Sequence, residues 1–180
     1  MLSTYLFHAL LTQGWPAPPL TATVFILVGP MGQSAAALQQ LGMAAREYEK
    51  FGGYAKGFFL TAEAAVPLEV TCVVIALLLT GLGLIWAILA VYVMVERAVQ
   101  RKLFWTPGWN AIIFPMATLT TSTNLFAIEM NSPTFRVITV CLIIVLVFIF
   151  LLNLAFTLWK AAKGELLIVR KDWRMEEKMD

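Results

Sequence analysis

Residues 137–159 read VITVCLIIVLVFIFLLNLAFTLW, an unbroken apolar run whose strongest polar side chain is Asn153. An α-helix rises about 1.5 Å per residue, so this run reaches about 35 Å, enough to cross a hydrocarbon core about 30 Å thick. It shows no alternation of period two, so it does not fit a barrel strand. In lipid every backbone N–H and C=O must be paired inside the segment, and a helix achieves that alone. The run is therefore read as a transmembrane helix.

The same absence of charge recurs. No Asp, Glu, Lys or Arg occurs before Arg46, nor in 70–95, 103–128 or 137–159. An ionised side chain at mid-bilayer costs about 2.5–3.5 kcal/mol on the insertion scale, which makes these gaps informative. The composition agrees: 60% of the 180 residues are hydrophobic and 13% are charged. The expected fold is an all-α integral membrane protein, with four transmembrane helices arranged as two hairpins. The spans run over about 20–44, 68–95, 108–127 and 134–159 of a single transmembrane domain covering 1–180. Residues 165–180 are expected to form a solvated tail. The net charge of +2 and the lack of a basic stripe interleaved with aromatics exclude a nucleic-acid partner. The lipid bilayer is the partner that composition itself specifies.

Proline and glycine mark the boundaries. Pro67, Pro107 and Pro133 stand at helix entrances, where a missing N–H costs nothing, and Asn131 and Ser132 offer cap chemistry before the fourth span. Gly164 after Lys160 and Lys163 is a stop signal. Nine Lys and Arg residues fall on one side, in 96–107 and after 159; four fall on the other, namely Arg46, Lys50, Lys56 and Arg136. That imbalance predicts a cytoplasmic C-terminus. Residues 2–13, LSTYLFHALLTQ, are helical in pattern but too short to span. They are read as the end of an element that begins before Met1, the alternative being an interfacial helix.

The spans are of two kinds. The second (VVIALLLTGLGLIWAILAVYVMV, 73–95) and the fourth are aliphatic throughout, as suits lipid. The first and third each carry an interior proline, Pro30 and Pro115, and turn small and polar around it: GPMGQSAAALQQLG at 29–42 and FPMATLTTSTNLF at 114–126. An interior proline is expected to kink a helix, which a membrane tolerates beside protein or a wet cavity. On helical spacing Gly29, Gln33, Ala36 and Gln40 share one face, and Phe114, Thr118, Thr121, Ser122 and Leu125 another. Such faces fit a substrate pathway, while a close-packed seam of small residues is the plainer reading of either helix alone. The pairs Pro30–Met31 and Pro115–Met116, 85 residues apart, suggest a repeated hairpin of inner kinked and outer straight helix.

Nothing indicates catalysis, a cofactor or a metal. His8 is the sole histidine and has no acidic partner at ligand spacing, and Cys72 and Cys141 fall inside spans as apolar packing residues. Glu63 and Glu69 flank the second span and read as interfacial, with Glu69 the deeper of the two. Asn153 reads as an interhelical hydrogen-bonding residue.

The stretches ATVFILVGPMGQSAAALQQLG (22–42), WNAIIFPMATLTTSTNLFAIEMNSPTFRVITV (109–140) and LWKAAKGELL (158–167) resemble the tellurite-resistance/dicarboxylate transporter family. That superfamily includes fungal sulfite efflux pumps, malic acid transport proteins and slow-type anion channels; GPMGQ looks most like the sulfite branch. The resemblance implies a ring of five helical hairpins around an anion pore, with this chain matching spans seven to ten. It also implies a small anion as substrate, a plasma-membrane location, and either an N-terminal half or a homotrimer as partner. By motif position Phe114 matches a pore-blocking phenylalanine. A non-conducting membrane protein that packs with partner helices is the alternative.

Overall fold

The computed structural model describes residue 12 and residues 18–47, 61–103 and 105–164. The short helical reading of 2–13 with His8, the lysines at 50 and 56, and the basic tail after 164 lie outside the described residues.

Four helices carry the fold, and no strand occurs among the described residues. Helix α1 (Val28–Glu47) continues a 3-10 segment, Pro18–Leu27, and α3 (Ile113–Glu129) continues another, Pro107–Ile112. Helix α2 (Ala65–Val99) follows a single 3-10 turn, and α4 is Pro133–Ala162. All four are long and apolar enough to cross a membrane, the α2 span being the longest at 38 residues.

The two kinds of helix separate in space. The most apolar stretches of the α1 and α3 spans are each 56% buried, against 11% for α4. Helices α1 and α3 pack on each other; α2 lies along α1, and α4 lies along α3. Their small residues explain why. An added Cβ on Gly32 would stand 2.7 Å from the Leu119 backbone nitrogen and 2.8 Å from the Thr118 carbonyl carbon, so the two inner backbones meet there. The core is layered along the bundle: Phe25, Ala90 and Met116, then Leu27, Val28, Trp86 and Leu119, then Ala35, Ala76 and Phe126. Each layer joins the first three spans. Phe126 also meets Phe135 of α4, ring centroids 5.2 Å apart. The outward face of α4 shows Ile144, Phe148, Leu151 and Leu158, a surface suited to lipid.

Two local expectations are corrected. The discontinuity at Pro30 and Pro115 is a change of helix type: each proline is the third residue of its α-helix, just after a 3-10 segment. A proline in the first turn blocks extension of the α-helix backward, while the tighter 3-10 ladder carries the chain through. Between α3 and α4, Ser132 makes no side-chain cap, and Asn131 instead takes a left-handed backbone with φ 46°. Its side-chain oxygen accepts from the Arg136 guanidinium, so it shapes the turn rather than capping the helix.

A candidate anion pathway between the inner helices

The two proline junctions face each other. Gly29, Pro30 and Gln33 of α1 meet Phe114 and Pro115 of α3 around a groove of about 410 Å³, completed by Ile26 and Ala111 of the 3-10 segments. The Phe114 ring lies across Gly29: a Cβ there would sit 3.7 Å from its Cε1 and 3.6 Å from Pro115 Cγ, ordinary contact distances. Phe114 is nonetheless 63% exposed. Gln33 is exposed as well, so its amide offers a polar group beside an apolar ring.

Thr118 and Ser122 are placed differently. Thr118 is buried behind the groove, its hydroxyl reaching the Pro115 carbonyl at 2.8 Å and the Gly29 carbonyl at 3.3 Å. Ser122 is fully buried: its Oγ lies 2.6 Å from Thr80 Oγ1 and accepts from Gln39 Nε2 at 3.2 Å. The reason is the helical angle. At about 100° per residue, steps of four drift by about 40°, so Ser122 stands about 80° round from Phe114. Steps of seven stay near the starting line, and the exposed stripe of α3 accordingly runs Phe114, Thr121, Asn124 and Ile128. On α1 it runs Ile26, Pro30, Gln33, Ala37 and Gln40, with Ala36 turned inward.

The hydroxyls of α3 are already satisfied. Thr120, Thr121 and Thr123 donate to Met116, Ala117 and Thr120 carbonyls at 2.7, 3.0 and 2.9 Å, and Thr139 of α4 donates to Thr123 at 3.2 Å. Back-bonding of this sort lets a threonine-rich helix stand in lipid at small cost.

Three features escaped the sequence reading. Gly32, with Ala36 four residues on, forms the seam of closest approach; that spacing is the legible signal of such a contact. Gln39 is buried and joins α1 to α3, which only the packing reveals. Glu69 is not interfacial: it is buried in protein at the start of α2, where Oε2 pairs with Arg46 Nη1 at 3.1 Å. Glu63 is exposed. Among the described residues no group of His, Cys, Asp and Glu is placed to hold a metal ion, and Cys72 and Cys141 are free thiols.

Residues 1–158 match the SLAC1 family model, described as voltage-dependent anion channel. Over 139 residues the chain is 30% identical to proteins named sulfite efflux pump SSU1 from Trichophyton rubrum, Arthroderma benhamiae and Arthroderma otae. The aligned part is 77% of this chain and 35% of each relative, so the chain spans about a third of the length of the curated relatives it matches. No solved structure matches it significantly.

Proposed function

We propose, from the premise that this chain belongs to the SLAC1 family of voltage-dependent anion channels, that α1 and α3 form part of the wall of a transmembrane pathway for a small anion. Sulfite efflux is the favoured activity, and transport of a C4-dicarboxylate such as malate is the next. The observation that carries this reading is the groove in which Gly29, Pro30 and Gln33 face Phe114 and Pro115. It joins the two exposed stripes of the inner helices.

Gly29 keeps the groove open, since any longer side chain there would compete with the Phe114 ring for the same space. Phe114 is the gate. An exposed aromatic ring over a narrow path blocks it sterically and by dewetting, and a rotamer change clears it. No Lys or Arg lies in the central part of any span. The Gln33 amide N–H groups are the donors suited to an oxyanion at the groove. Thr118 backs this wall through its bond to the Gly29 carbonyl, and Ser122 keeps the inner helices in register. Two inner helices do not enclose a path, so the wall is completed by further helices, either of a longer chain or of copies in a trimer. The positive-charge imbalance places the C-terminus in the cytoplasm, in a plasma membrane.

The test is a chimera in which this chain replaces the matching third of the Trichophyton rubrum sulfite efflux pump. Sulfite efflux from cells or vesicles is expected to survive the exchange and to fall sharply with Gly29→Leu. Loss of efflux in the chimera at normal membrane levels would overturn the reading. A non-conducting protein that packs with partner helices is favoured by one observation, the back-bonded threonines of α3 that need no water. It predicts that the exchange leaves a folded and silent protein.

A further inference from the structure

Helices α1, α2 and α3 come together at the end of the bundle away from the 3-10 segments, and three charged side chains meet there. Arg46 stands in the last turn of α1, Glu69 in the second turn of α2, and Glu129 is the last residue of α3. The junction is tight, because a Cβ on Gly42 would lie 3.1 Å from Glu69 Cα and 3.0 Å from Cys72 Cβ. The Glu69 side chain is 4% exposed, whereas that of Arg46 is 61% exposed.

Arg46 accounts for one carboxylate oxygen of Glu69 and leaves the other. Glu69 Oε1 is buried and has no hydrogen-bond partner among the described residues. A buried carboxylate oxygen without a donor is costly, of the order of 1–3 kcal/mol or more when charged. The group that faces Glu69 from α3 is a second carboxyl, Glu129, within range of direct charge and hydrogen-bond interaction. From α1 the facing charge is Arg46; α4 contributes only Arg136, which is engaged with Asn131. With both carboxylates ionised the trio carries one net negative charge, and one added proton makes it neutral.

We infer that Glu69 and Glu129 form a proton-binding site, in which one proton from water is held between the two carboxyl groups beside the Arg46 guanidinium. Binding forms one O–H bond on a carboxylate and a hydrogen bond to the other; release returns the proton to water. The bound proton ties the end of α3 to α2, and Arg46 ties α2 to α1, so both inner helices end on the same titratable junction. Its use in transport rests on the function proposed above. The site itself does not.

Infrared spectroscopy of the purified 180-residue chain in lipid nanodiscs decides the matter, since a protonated carboxyl has a C=O stretch distinct from that of a carboxylate. At neutral pH the chain is expected to show this band, shifted in D2O. The band is expected to vanish in both Glu69→Gln and Glu129→Gln and to persist in Glu63→Gln. Helical circular dichroism checks folding, and Glu129→Gln, at the partly exposed helix end, carries the test if Glu69→Gln does not fold. Absence of the band in the parent overturns the site, as does its survival in Glu129→Gln. Stabilisation by added sodium or calcium at neutral pH without the band would place a cation there and equally overturn it. A chimera that moves no sulfite while the band behaves as expected removes the transport reading and leaves the proton site standing.

Discussion

Gly29 and Gly32 sit one turn apart on α1 and answer to different demands. A Cβ on Gly29 meets only side-chain atoms at 3.6–3.8 Å, whereas one on Gly32 would press into the α3 backbone at 2.7–2.8 Å. Gly32→Ala therefore has to separate two helices, and overpacking of that kind costs about 1–3 kcal/mol. Denaturation of the purified chain in mixed micelles is expected to show that loss for Gly32→Ala and a far smaller one for Gly29→Ala. Equal losses would mean that α1 and α3 are not in contact at Gly32. Phe114 poses the complementary case. Removal of a buried phenylalanine costs about 3–5 kcal/mol, but this ring is 63% exposed and fills no closed core. Phe114→Ala in the sulfite-pump chimera is expected to leave expression unchanged and to raise anion flux several-fold. Unchanged flux at matched membrane levels would remove Phe114 from the pathway.

Among the elements, α4 is the one whose sequence is plainest, and its one inward polar residue shows what it holds. Asn153 is buried; its Oδ1 accepts from Trp105 Nε1 at 3.0 Å and its Nδ2 lies 3.5 Å from the Trp109 carbonyl. It thus pins the connection after α2, and the start of the 3-10 segment before α3, to the outer helix. Trp105 is held further by Phe156, with centroids 6.0 Å apart, and by Lys160, whose Nζ is 5.4 Å from its ring centroid. Interhelical hydrogen bonds in membranes average about 0.6 kcal/mol and reach about 1.7, so Asn153→Leu is expected to cost an amount in that range. The same variant is expected to expose Trp105, read as a red shift of its fluorescence. An unshifted spectrum would show that stacking alone positions Trp105. The inner helices were harder to read as elements: Pro30 and Pro115 signal a break, but whether the chain bends or changes helix type depends on what the preceding turn packs against. Here Phe25 and Ile112 are buried together, and that packing holds both preceding segments in the 3-10 form.

For the molecule as a whole, the two exposed inner stripes are one side of a surface that this chain does not close. Reconstituted alone in liposomes, residues 1–180 are expected to insert and to pass neither sulfite, malate nor chloride, because two helices cannot ring a solvated path. A clear flux from the purified chain would show that copies of it complete the ring. The membrane class, the four helices and the division into inner and outer pairs were all legible in the sequence. Each follows from the transfer cost of charge and backbone into lipid, which sums along the chain without reference to neighbours. The family too was carried by contiguous stretches around Pro30 and Pro115. The faces of the inner helices were only half legible, since a stripe chosen by steps of four grouped Phe114 with Ser122, although Ser122 turns to Thr80 and Gln39. Which side of a helix is buried is decided by the helix beside it. The Glu69–Glu129 junction was not legible at all: 60 residues separate the two carboxyls in the chain. Only the close approach of α1 to α2 at Gly42, with the end of α3 beside them, brings that pair and Arg46 to one place.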